Sequence, residues 1–290
     1  MTMEHVDIAS IPNSGKHLVF SDMIKDDLRV ENVSLQACQF VRLGAKKATF
    51  SNCSLTQCLF EDTYLRMAKF QNVQLVGSTF RHCNLEKASF RGCDIRYCRF
   101  EATLLDRNEI IGCLPIEPNL KRATARNLRK NFELLGDKAS ADIFLNIEIA
   151  AEEQELLGAF WRRTEYYRSH YTPTDQFLAG LKYLLSKLSG VVWGYGHRVR
   201  RLFFAYFALA SIFALVTYFS SLQFRADTGS QHSLGLMDSF YYSFATSLGL
   251  TLAQTAPLSL LGKVLQILEG GLGTVFLALL AAAAYRRIAR

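Results

Sequence analysis

The 290 residues contain no Cys-x-x-Cys pair, no His-Glu-x-x-His, no Gly-x-Ser-x-Gly and no paired carboxylates on a plausible cleft. Those gaps exclude the common spacings for a dithiol or zinc centre, a zincin helix and a hydrolase nucleophile elbow. The six histidines (His5, His17, His82, His170, His197 and His232) are scattered along the chain. An enzyme is therefore not expected, and neither a cofactor nor a metal. Gly194 and Gly196 lack the strand, the third glycine and the acidic residue of a dinucleotide loop, and Gly271 and Gly273 lie inside an apolar run. The N-terminus shows no basic n-region with a short apolar stretch and cleavage site, so the N-terminal part is expected to stay in the cytosol.

What is present is unevenly spread. Half of the residues are hydrophobic, and the excess is concentrated in the last third. The net charge of +7 comes with basic residues placed just before and just after apolar runs. That placement points to an anionic membrane surface and not to nucleic acid.

From Phe50 a bulky apolar residue recurs every five positions through Leu55, Phe60, Leu65, Phe70, Leu75, Phe80, Leu85, Phe90, Ile95, Phe100 and Leu105. Two residues before each stands a small or short side chain, from Ala48 and Cys53 to Cys98 and Thr103. A period of five fits neither a helix nor a strand. It fits a square coil in which each side sends one large and one small side chain inward, with residues twenty apart stacking at about 4.8 Å. The columns are nearly pure: Phe20, Phe40, Phe60, Phe80 and Phe100; Val30, Phe50, Phe70 and Phe90; Leu35, Leu55, Leu75 and Ile95; Lys25, Ala45, Leu65, Leu85 and Leu105. Lys25 and Ala45 break the fourth, so the first coil is expected to be frayed or to act as a cap. Six of the seven cysteines (Cys38, Cys53, Cys58, Cys83, Cys93 and Cys98) fall on the small position, which predicts buried thiols in a reducing compartment.

This pattern resembles the pentapeptide-repeat family of right-handed quadrilateral β-helices, over about residues 18–107. Some members of that family are acidic mimics of DNA. Between Phe20 and Leu105 there are twelve Lys and Arg against nine Asp and Glu, a net of +3, which argues against mimicry here. The phenylalanine stack reads as core packing, and the outer faces as a surface for docking, spacing or self-association.

After residue 110 the period is lost, and a helical linker is expected over residues 111–190, following a tail over 1–17 and a β-helix over 18–110. Asn119 is placed to cap a helix ending at Gly136, a second helix is predicted from about Ser140 to Arg168, and a third from Gln176 to Leu188 after a break at 171–175. Lys121, Arg122, Arg126, Arg129 and Lys130 suit either a lipid or regulatory anion or a solvated face. Phe177, Leu178, Leu181, Leu184, Leu185 and Leu188 suit a membrane interface.

Residues 202–224 carry no charge, and 259–285 form a second apolar run; each is long enough to cross a hydrocarbon core of about 30 Å. Basic residues at 198–201 and 286–290 put both termini on the cytoplasmic side of an inner membrane. Between the runs lies an amphipathic segment over about 238–248. Phe240 to Thr246, then Pro257 with Leu261, Gly262 and Lys263, then Leu268 to Gly273, resemble the pore helix, post-filter motif and inner helix of the two-transmembrane, potassium-channel-like family. Joined to a pentapeptide β-helix, this resembles an architecture of bacterial channel-like proteins.

The resemblance implies a homotetramer in lipid, with a pore domain over 191–290 and a pore loop at Thr246 and at Gly249, Leu250, Thr251, Leu252, Ala253 and Gln254. The last six residues align with the family's T-V-G-Y-G-D filter. Thr251 and Ala253 stand where that filter has glycines, so a pore of weak or non-potassium selectivity is expected. Glu269, Gly270, Gly271 and Gly273 are gating candidates. Glu269 equally suits a hydrogen bond to the back of the pore helix, and the glycines suit close helix packing. Two other functions stay open: a non-conducting membrane scaffold whose β-helix recruits partners, and a membrane-depolarising effector opened by a stimulus.

Overall fold

The computed structural model describes residues 4–5, 11–195, 199–220, 223–225, 231–250 and 256–288. They form two compact units, Met1–Gly180 and Leu181–Arg290.

The first unit opens with a parallel β-solenoid. Strands Leu18–Ser21, Gln39–Val41, Leu59–Glu61, Thr79–Arg81 and Arg99–Glu101 make one sheet, with Phe20, Phe40, Phe60, Phe80 and Phe100 in register. Arg29–Glu31, Thr49–Ser51, Lys69–Gln71 and Ser89–Arg91 make a second, aligning Val30, Phe50, Phe70 and Phe90. The phenylalanine rings stack nearly parallel, with centroids 4.6 to 5.3 Å apart. The ladder spacing sets that distance, so an aromatic at one level is best covered by an aromatic at the next.

The small position is buried because the following coil lies directly over it. Its polar members find partners without leaving the core: Ser78 Oγ donates to the Leu55 carbonyl at 2.6 Å, and Thr103 Oγ1 to that of Phe80 at 3.0 Å. Thiols do the same, as in Cys83 to Phe60 O at 3.2 Å. All seven cysteines are unpaired by disulfides, and the six on the repeat are buried.

Each corner of the square requires a left-handed residue. From His17 to Ala102 the residue two places after each bulky position has positive φ, for example Asp22 (56°), Asn52 (52°), Asp62 (52°) and Gly77 (73°). A left-handed non-glycine costs about 1–2 kcal/mol. In return its N–H meets the next coil: Asp22 N donates to Val41 O at 3.1 Å and Asn52 N to Gln71 O at 2.9 Å. Asp, Asn and Gly tolerate this conformation best and recur there.

The solenoid starts before residue 18. Strand Ser14–Lys16, within the expected tail, pairs with Ser34–Gln36, and Glu4–His5 pairs with Leu18–Val19. Lys25 is exposed, yet its N–H still donates to Gly44 O at 2.7 Å, so the backbone ladder survives where the side-chain column fails. At the far end helix α1 (Arg107–Ile111) places Ile110 at the next inward position, fully buried.

Helices α2 (Pro118–Leu134) and α3 (Lys138–Phe160) form a hairpin whose Ala125, Leu128, Phe132, Ala141 and Phe144 join the solenoid core. Asn119 is not the cap of α2: Glu117 holds that place and Pro118 starts the helix, since a proline without an N–H fits the first turn. The last coil would expose unpaired peptide groups, and two asparagines of α2 supply them. The Asn131 amide accepts from Thr103 N and donates to Thr103 O, at 2.8 and 2.9 Å, and Asn127 does the same for Phe100 at 2.8 and 3.3 Å.

Three of the five α2 cations are paired with acidic side chains of α3. Arg126 and Arg129 bind Glu148 at 2.6 and 3.0 Å, and Arg122 lies 3.3 Å from Glu155. Glu148 is buried between them because α3 turns it towards α2.

The second linker helix does not run unbroken from 140 to 168. It stops at Phe160, where Arg162 turns left-handed (φ 49°) and Arg163 N donates to Gly158 O at 3.1 Å. Helix α4 (Glu165–His170) then folds back so that Tyr167 packs on Gly158, where a Cβ would come within 2.9 Å of the ring. Helix α5 (Pro173–Trp193) begins earlier than Gln176. Pro173 is its first residue, and Thr172 and Asp175 cap it reciprocally through Asp175 N to Thr172 Oγ1 at 3.3 Å and Thr172 N to Asp175 Oδ2 at 3.1 Å.

In the second unit α6 (Val199–Phe219) and α8 (Leu260–Ile288) contain two stretches, Arg200–Phe219 and Leu260–Tyr285, long and apolar enough to cross a membrane. Only 28% and 17% of these stretches is buried, unlike the core helix of a soluble domain. α6 ends at Phe219 and the chain is extended by Gln223–Arg225, short of the expected limit at 224.

Three outcomes are expected for the solenoid and its cap. Phe80→Ala removes the ring sandwiched between Phe60 and Phe100 and lowers stability by about 3–5 kcal/mol, read from the urea midpoint of the β circular-dichroism signal in detergent. Asn131→Ala leaves the buried Thr103 peptide groups unpaired and costs about 1–3 kcal/mol in the same assay. Burial raises the thiols of Cys58 and Cys98 to about 12, whereas a hydrogen bond from Cys93 holds the partly exposed Cys113 below the ordinary thiol value. Iodoacetamide at neutral pH should therefore label Cys113 first, through its larger thiolate fraction. Cys93→Ala removes that donor and should slow the labelling.

Candidate functional site

The second unit is organised by helix α7 (Leu236–Ser247), an excursion that leaves and rejoins one small sheet. Gln223–Arg225 pairs antiparallel with Gln231–Ser233 before α7, and with Ala256–Pro257 after it, placing Phe224 opposite both His232 and Pro257. The strand that follows α6 thus pairs both with the strand before α7 and with the one before α8.

α7 is held on both sides by neighbours of its C-terminal half. Tyr206 of α6 makes a 2.8 Å hydrogen bond between its hydroxyl and that of Ser247, and Tyr206 and Phe207 pack on Phe244 with ring centroids 6.4 and 5.4 Å away. Tyr242, buried, packs with Leu234 and Leu265. On the α8 side Gly273 lies against the Ser247 backbone so closely that any Cβ would overlap its carbonyl group. Gly270 approaches the Thr246 carbonyl less tightly, at 3.8 Å for an added Cβ, and Gly271 faces open space. Gly273, and to a smaller degree Gly270, therefore act as close-packing residues.

The C-terminal end of α7 is closed by its own backbone. Gly249, left-handed at φ 75°, donates from its N–H to Thr246 O at 3.0 Å, while Leu250 N donates to Ala245 O at 2.9 Å. These are the two bonds of a Schellman cap, and the glycine is there because the cap needs positive φ. Gly249 and Leu250, aligned with the start of the filter, are thus the terminus of α7. The carbonyl end of the helix is its negative pole. Thr246 is half-buried beside that end, and Leu250 is exposed. Thr251, Leu252, Ala253 and Gln254 lie outside the described residues.

Glu269 is buried, on the side of α8 that meets α7, and the polar side chain it faces is Ser243. Ser239, one turn earlier on α7, is buried as well. Ser239, Ser243 and Tyr206 were not singled out in the sequence. The spacing of the two serines, four apart on an otherwise aromatic segment, was the available signal, since it puts two hydroxyls on one helix face. Among the described residues no group of three or more His, Cys, Asp or Glu is arranged to hold a metal ion.

Residues 28–110 match the family described as pentapeptide repeat region. No curated protein matches the chain. Among solved structures, two trypsin-treated variants of QnrB1, described as a plasmid-mediated fluoroquinolone resistance protein, are similar at 19% and 23% identity. The similarity covers 36% of this chain and 56% and 55% of theirs, with a TM-score of 0.23 in both cases. The chain therefore spans little more than half the length of those structures, and residues 28–110 form a pentapeptide-repeat β-solenoid followed by a helical region.

Proposed function

We propose that the chain is a pore-loop ion channel of the inner membrane, assembled as a homotetramer, with both termini cytoplasmic and the solenoid serving docking or gating. The observation that carries this reading is the excursion of α7. The strands at its two ends, Gln231–Ser233 and Ala256–Pro257, both pair with Gln223–Arg225, while α6 and α8 flank it with apolar surface. Non-helical backbone at membrane depth is tolerated where it is buried in protein or lines a cavity, and four copies around an axis supply such a cavity. The negative pole of α7 favours cations. Thr251 and Ala253, in place of filter glycines, support weak selectivity. The role is transport and not catalysis.

The purified full chain in liposomes should pass monovalent cations, with a reversal potential that separates K⁺ from Na⁺ by no more than a few fold. Gly273→Val forces α8 off Ser247, an overpacking of about 1–3 kcal/mol, and should abolish flux while leaving the solenoid spectrum intact. No flux from the wild type under any ionic gradient would favour the scaffold, and a strong K⁺ preference would refute weak selectivity.

A further inference from the structure

Among the described residues, three oxygens between α7 and α8 have no protein partner. Ser239 Oγ, Ser243 Oγ and Glu269 Oε1 are buried and make no hydrogen bond, and the three residues are at most 2% exposed. The hydroxyl that the carboxylate faces is that of Ser243. Leaving a buried polar group unmade is costly, and leaving a buried carboxylate without a counter-charge more so. The nearest cationic side chain along α8 is Lys263, six residues and nearly two turns away.

We propose that Glu269, Ser243 and Ser239 form a binding site for a monovalent alkali cation behind the re-entrant helix, separate from any conduction path. The chemistry selects this ligand over its rivals. A proton on Glu269 neutralises the carboxyl group but brings no ligand that joins all three oxygens. A divalent ion asks for several carboxylates, and a single one would leave a net buried charge. A monovalent cation neutralises one carboxylate and accepts all three oxygens together with backbone carbonyls of the two helices. By bridging α7 to α8 beside the Gly273 contact, the ion would fix the pore helix in place. The site does not depend on whether the chain conducts, so its test is binding and not flux.

The experiment is equilibrium binding of radioactive Na⁺ to the purified full chain in nanodiscs, with N-methyl-D-glucamine maintaining ionic strength. The expected result is a saturable site in the wild type that is lost in Glu269→Gln. Ser243→Ala, which keeps the carboxylate and the helix, should weaken it by about tenfold, the loss of one ligand. Competition by K⁺ would be consistent with an alkali-cation site. Equal binding by wild type and Glu269→Gln, absence of saturable binding, or a thermal midpoint that follows pH but not Na⁺ would each overturn the proposal.

Discussion

A peptide group removed from water must find a partner, and nearly every feature of this protein answers that constraint. In the solenoid the partner is the next coil. Each corner residue accepts a left-handed conformation so that its N–H can reach across, and inward thiols and hydroxyls donate to carbonyls one level back. A stack of coils only postpones the problem to its last member. There Asn127 and Asn131 present amides that imitate another strand, and the α2–α3 hairpin both blunts the sheet edge and extends the core.

The helices end under the same rule. α2, α3 and α7 are each closed by a left-handed residue, Gly136, Arg162 and Gly249, with the following N–H returned to the carbonyl five residues back. α7 can stop inside an apolar unit because the carbonyls of Ala245 and Thr246 are already bonded.

The two units satisfy packing by different means. Stacked phenylalanines at ladder spacing fill the solenoid, and their registry permits little besides another flat or branched apolar group. In the second unit contact is made by removing side chains, as at Gly273 against Ser247, and by hydroxyls, as between Tyr206 and Ser247. On the same pair of helices Ser239, Ser243 and Glu269 are buried.

The sequence by itself determined the solenoid. A side chain can face the axis only every fifth residue, so Phe60 and Phe80 declare the period, the columns and the coil length without reference to anything distant. It also determined the two long apolar helices, whose length is set by composition. What it did not decide are matters of rotation and approach. That α3 turns Glu148 onto Arg126 and Arg129, and that Gly249 caps α7, follow from contacts and backbone that no local pattern sets. Whether Glu269 meets the back of α7 depends on a helix contact between residues 26 apart in the chain, at Ser243 and Glu269. Only the tertiary structure sets such contacts, because they depend on which face each helix presents and how closely a glycine lets it come.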